Sequence, residues 1–146
     1  IGARLGGASV EDADRLYDFG MHIGVAFQLK DDLLDVYGDT ETFGKNIGGD
    51  ILCDKKTFLL INAFRLANEQ QRNELNRWIG AKPENPEEKI AAVTYIYNEL
   101  RLKELSEQKI ESYFARAMEH LDAVKVQPEK KAVLKQLSER LMNRKS

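Results

Sequence analysis

An all-α fold is what the sequence predicts, and three observations predict it. Apolar residues recur at helical spacing along nearly the whole chain, and sustained alternation is missing. No Asn-Gly turn joins alternating runs, so no hairpin signal competes. All three prolines, Pro83, Pro86 and Pro128, fall between the periodic segments. A length of 146 residues suits one ordinary domain or a piece of a larger one, and 42% hydrophobic against 32% charged residues allows a core inside a solvated surface.

The elements follow in order. Ser9 is placed to cap a helix that runs to Tyr37, with Glu11 and Asp12 in the first turn, where the helix dipole favours acids. A glycine-rich loop, Gly38 to Gly49, comes next. Asp50 is expected to cap one continuous helix through about Asn68, with Lys55, Lys56 and Thr57 in its first turns. Leu75, Trp78 and Ile79 mark a short helix, and Gly80 to Asn85 a loop. Pro86 then opens a helix with the stripe Ile90, Val93, Tyr97 and Leu100. Ile110, Phe114, Ala117 or Met118, and Leu121 form another stripe. After Pro128, Leu134, Leu137 and Leu141 form the last.

Composition removes several functions. With 22 basic and 24 acidic residues the formal charge is −2, so no net positive field awaits nucleic acid. One cysteine, Cys53, excludes a disulfide framework and any multi-cysteine metal site, and a packed structural thiol is expected there. No apolar run approaches the ~20 residues that cross a bilayer, and no signal peptide opens the chain. A soluble segment from a reducing compartment is expected, beginning upstream of Ile1. His22 and His120 are expected to be isolated packed or surface residues.

The first long helix breaks the amphipathic rule. On a wheel at ~100° per residue, Gly24, Gln28, Asp31, Asp32 and Asp35 share one arc, and apolar residues occupy most of the rest. A helix so apolar is expected to be buried, so its carboxylate stripe must face something polar inside the protein. The stripe is also locally unfavourable. Asp31 and Asp35 repel at i, i+4, Asp32 and Asp35 at i, i+3, and all three lie near the helix end that disfavours anions. Divalent cations would relieve these penalties together, and carboxylate oxygens suit Mg²⁺ shared with substrate phosphates. A solvated acidic face is the plainer alternative, and the apolar girdle argues against it. The helical spacing also differs from the alternating acids of an EF-hand.

The loop beyond adds phosphate chemistry. Its glycines allow close backbone approach to a ligand, and Lys45 supplies a mobile charge. Gly44-Lys45 precedes Asn46 rather than Ser or Thr, and a helix rather than a strand leads in, so this is no Walker loop.

Phe27-Gln28-Leu29-Lys30-Asp31-Asp32-Leu33-Leu34-Asp35-Val36-Tyr37-Gly38-Asp39, Phe43-Gly44-Lys45, Gly48-Gly49-Asp50-Ile51 and Lys55-Lys56-Thr57 together closely resemble the second aspartate-rich region of trans-isoprenyl diphosphate synthases, the family of farnesyl, geranylgeranyl and longer polyprenyl diphosphate synthases. The resemblance implies an all-α bundle around a deep central cavity. It implies head-to-tail joining of an allylic diphosphate to isopentenyl diphosphate, in the cytoplasm, by an enzyme that forms homodimers. By motif, Asp31 and Asp35 would hold Mg²⁺ on the allylic diphosphate, and Asp32 would act through metal-bound water or as a weaker ligand. Lys45 and Lys55 would contact that diphosphate, Gln28 the developing cation and Phe27 the isopentenyl chain. Asp50 would orient a metal-bound water or a lysine.

The family's first aspartate-rich motif lies far upstream, and no second D-D-x-x-D stands in these residues. Residues 1–146 are therefore expected to be the C-terminal part of a single prenyltransferase domain, with Ile1 to Ala8 the tail of a preceding helix. By themselves they are expected to be inactive. The alternative is a non-catalytic regulatory subunit of such a synthase, which would have no need of Asp31, Asp32, Asp35, Lys45 and Lys55. A terpene cyclase would carry an Asn/Ser/Glu metal site, absent here at the right place, and a generic helical interaction module leaves the stripe unexplained.

Overall fold

A computed structural model describes residues 1–38 and 47–143. Among these residues every regular element is a helix: α1 (Gly2–Leu5), α2 (Val10–Tyr37), α3 (Gly49–Leu52), α4 (Phe58–Leu66), α5 (Glu69–Trp78), α6 (Pro86–Glu99), α7 (Leu102–Ala123) and α8 (Pro128–Met142). None is long and apolar enough to cross a membrane. The backbone groups into two compact units, and α2 and α7 contribute to both.

The first unit takes residues 1–28 and 108–144. Its core joins Phe19 of α2 to Ala117 and Leu121 of α7, flanked by Leu16, Ile23, Met118 and Leu134. Ser9 caps α2, its Oγ accepting the Asp12 N–H at 3.1 Å. The start of α2 then serves the end of α7. Arg15 donates to the Ala123 carbonyl at 2.6 Å, and the buried Asp12 carboxylate accepts the Lys125 N–H at 3.1 Å. A cation at a helix C-terminus satisfies carbonyls that have no partner within the helix.

Three expectations change in this unit. The chain does not bury α2 all round: Tyr17 is 67% and Met21 51% exposed, because within this unit α7 and α8 cover one side of it. Leu137 is also exposed, and the buried position on α8 belongs to Ser138, whose hydroxyl bonds back to the Leu134 carbonyl. His22 and His120 are neighbours rather than isolated, with ring centroids 5.1 Å apart and Tyr113 5.8 Å from His22.

The second unit takes residues 29–107, with α6 packed against α3, α4 and α5. Its core includes Leu33, Leu34, Ile51, Leu59, Leu75, Val93, Ile96, Tyr97 and Leu102. Here the continuous helix expected from Asp50 to Asn68 is two helices with a turn between them. Gly48, not Asp50, caps α3. Its φ of 87° lies in the left-handed region, and a Cβ there would come within 2.8 Å of the Ile90 side chain, so only glycine fits. After α3 the chain turns at Asp54, which holds φ at 53°. Thr57 caps α4, its hydroxyl accepting the Leu60 N–H at 3.2 Å. Lys55 and Lys56 therefore lie in the turn and not in a helix. Cys53 closes α3 and is exposed rather than packed. The short helix at Trp78 begins earlier than its apolar residues suggest, because Asn68 and Gln71 form a reciprocal capping box.

Candidate functional site

The last turns of α2 and the turn after α3 build one charged cluster in the second unit. Burial of Leu33, Leu34 and Val36 fixes the roll of α2, which leaves Asp31 exposed, Asp32 buried and Asp35 half-buried. The Gly48 N–H donates to the Asp35 carbonyl at 2.7 Å, and the Asp50 N–H donates to Asp35 Oδ2 at 2.9 Å. The start of α3 is thus fastened to the end of α2 by two hydrogen bonds. An acid here accepts a backbone N–H from a helix start, which partly offsets its unfavourable place at a helix end.

Lys55 closes the cluster. Its Nζ donates to Asp32 Oδ1 at 3.0 Å and to Asp50 Oδ2 at 2.9 Å. Two carboxylates around one ammonium hold Lys55 above the usual lysine range. Burial pushes Asp32 up and outweighs the opposing pull of Lys55. Asp35 is also raised by burial, against the hydrogen bond from the Asp50 N–H. The contact works unequally at its two ends. Asp32 is nearly closed off from water, whereas half of the Lys55 side chain remains exposed, so desolvation weighs on the acid.

The structure therefore brings Asp32, Asp35, Asp50 and Lys55 together, with Asp31 on the exposed side of the same helix turn. Phe27, half-buried, and exposed Gln28 stand on the part of α2 that belongs to the first unit. Lys45 lies outside the described residues. Tyr37, next to the stripe, donates from its hydroxyl to Asn98 Oδ1 at 2.8 Å, and burial pushes the phenol up to about 12. The sequence reading did not single out that bond, or the Asp54–Lys89 ion pair behind the turn (2.7 Å). Both partners of each pair lie far apart in sequence, and nothing in local spacing signals them.

A cation fits these residues in one specific way. Among the described residues no three acidic, histidine or cysteine side chains converge as a ready-made cage. Mg²⁺ is commonly held by one or two carboxylates, with water and substrate phosphate completing the shell. Buried Asp32 and half-buried Asp35, whose charged forms burial disfavours and a cation would restore, suit such a partial shell beside exposed Asp31.

A family model described as polyprenyl synthetase matches residues 1–96. The chain is 33% identical over 144 residues to the geranylgeranyl diphosphate synthase of Methanosarcina mazei, covering 99% of this chain and 42% of that one. A crystallised geranylgeranyl pyrophosphate synthase superposes with a TM-score of 0.84 at 35% identity, over 99% of this chain and 45% of its own. A polyprenyl synthase from Caulobacter crescentus, crystallised with calcium and isoprenyl diphosphate, superposes at 0.83 with 28% identity, over 99% and 44%. The chain spans less than half the length of the curated relatives it matches, from 24% in one to 44% in another.

Proposed function

The chain belongs to the polyprenyl synthetase family, and from that premise we propose that it is the C-terminal part of a Mg²⁺-dependent trans-prenyltransferase. The reaction is the head-to-tail condensation of an allylic diphosphate with isopentenyl diphosphate. The allylic C–O bond breaks, and the diphosphate leaves with the electron pair. The isopentenyl double bond attacks the cationic carbon, and a proton is lost to give a longer diphosphate. Negative charge grows on the departing group, so catalysis calls for positive charge already in place.

The observation that carries the reading is the Lys55 ammonium held between Asp32 and Asp50, beside the raised acid Asp35. Asp31 and Asp35 would hold the cation, with Asp32 as the weaker ligand or acting through bound water. Bound there, Mg²⁺ would supply charge that stabilises the leaving diphosphate. Lys55 binds the same diphosphate, as does Lys45, and its fixed ammonium adds to that stabilisation without needing to reorient. Asp50 keeps Lys55 in place. By the family motif, Gln28 would act near the developing cation and Phe27 near the isopentenyl chain. The Caulobacter neighbour, with a divalent cation and an isoprenyl diphosphate, supports this ligand pair. The working protein is a cytoplasmic homodimer, and residues 1–146 form the C-terminal part of one catalytic domain.

Turnover of radiolabelled isopentenyl diphosphate tests the proposal. The full-length protein with Mg²⁺ and an allylic diphosphate should form butanol-extractable product, lose it on chelation, and regain it when Mg²⁺ is restored. The 146-residue chain alone should form none. No product from the full-length protein, or robust product from this chain alone, would refute the assignment.

A further inference from the structure

Lys89 is the most deeply buried charge among the described residues, with 1% of its surface exposed, and the proposed reaction makes no use of it. A buried ammonium must be matched by acceptors. Its Nζ donates to Asp54 Oδ1 at 2.7 Å and to the Ala81 carbonyl at 3.2 Å, with the Leu52 carbonyl at 3.5 Å. The other Asp54 oxygen accepts the Gly80 N–H at 2.9 Å. Asp54 itself holds φ at 53°, a left-handed conformation that costs every residue but glycine, though aspartate less than most. The strained residue and the buried charge hold each other: both Asp54 oxygens are bound, and α3, the Gly80 loop and α6 are tied at one point.

The residue that follows is Lys55. Its N–H donates to the Asp50 carbonyl at 3.0 Å, and its ammonium sits between Asp32 and Asp50. A half-exposed lysine on a turn has many rotamers available, and each loosening of the turn adds more. Only residues 53–56 connect α3 to the Thr57 cap, so fixing Asp54 fixes where the Lys55 side chain starts.

We infer that the Asp54–Lys89 pair is a positioning device for Lys55, locking the turn so that the ammonium meets the diphosphate in one place. This rests on the reading that Lys55 contacts diphosphate. The test uses the full-length enzyme with Asp54→Gly and Lys89→Met combined. Removing both charges leaves none stranded in the interior, and glycine accepts the left-handed φ without strain.

Two readouts are taken: hydrogen exchange of the Lys55 amide, and kcat and KM for the allylic diphosphate. The expected result is faster exchange at Lys55 in a folded enzyme, with kcat/KM lower by about tenfold to a hundredfold. In a Lys55→Ala background the same pair of substitutions should add no further loss. Unchanged exchange at Lys55, an unchanged kcat/KM, or an equal loss in the Lys55→Ala background would each overturn the inference. Should the double variant fail to fold, Asp54→Asn combined with Lys89→Met keeps an acceptor for the Gly80 N–H and again strands no charge in the interior. It should show the same coupling to Lys55 at smaller size, and equal losses in both backgrounds would again overturn it. Full turnover by Lys55→Ala alone would instead remove the functional reading, and the inference with it.

Discussion

Asp35 shows at the scale of a single residue how a site can be set against its own fold. Its carboxyl is raised by burial, so the charged form is disfavoured in the folded chain. A raised acid contributes stability that is full below its unfolded value of about 4 and is lost as pH rises through the folded value. Without metal, Asp35→Asn should therefore melt with the wild type near about pH 3 and above it near about pH 7. Calorimetric melting across that range checks the sign, and a variant no more stable at neutral pH would contradict the burial argument. The Asp31, Asp32 and Asp35 stripe was legible because three like charges on one apolar helix violate several local rules at once. The pairing of Asp54 with Lys89 was not, since Lys89 follows Glu87 and Glu88 and reads as part of a solvated helix start.

Among the elements, the break between α3 and α4 matters most to the site. A continuous helix would have carried Lys55 on a helical face. The turn at Asp54 and the Thr57 cap place it on a reversal that points its ammonium back to α2. Thr57 is 5% exposed and its hydroxyl satisfies the Leu60 N–H. Thr57→Ala should destabilise by about 1 kcal/mol, with an unchanged urea m-value. A loss near zero would show that the cap does not hold α4. The helical stripes of α6 and α7 were legible because Val93, Tyr97, Ala117 and Leu121 repeat at helical spacing and are buried. The start of α5 was hidden because Leu75 is its buried residue and the first turns are polar, although the Asn68–Gln71 spacing carries the capping signal. The α3–α4 break was hidden because no proline or glycine marks residues 50–57. The chain turns there on a strained aspartate.

For the whole molecule, the all-α class followed from helical periodicity, the lack of a hairpin signal and prolines confined between the periodic segments, and superposition on prenyl synthase structures agrees with it. What periodicity overstated was the burial of α2, whose Tyr17 and Met21 remain open in a chain that spans less than half of its relatives. The proposed reaction turns on the acidic end of α2, which would hold the cation on which the substrate's diphosphate departs. Replacement of Asp31, which is exposed and carries little of the core, separates that role from folding. The measurement is steady-state turnover of full-length Asp31→Ala at saturating Mg²⁺, with its melting temperature alongside. The expected rate is lower by about two to three orders of magnitude, with the melting temperature kept. A wild-type rate would contradict it.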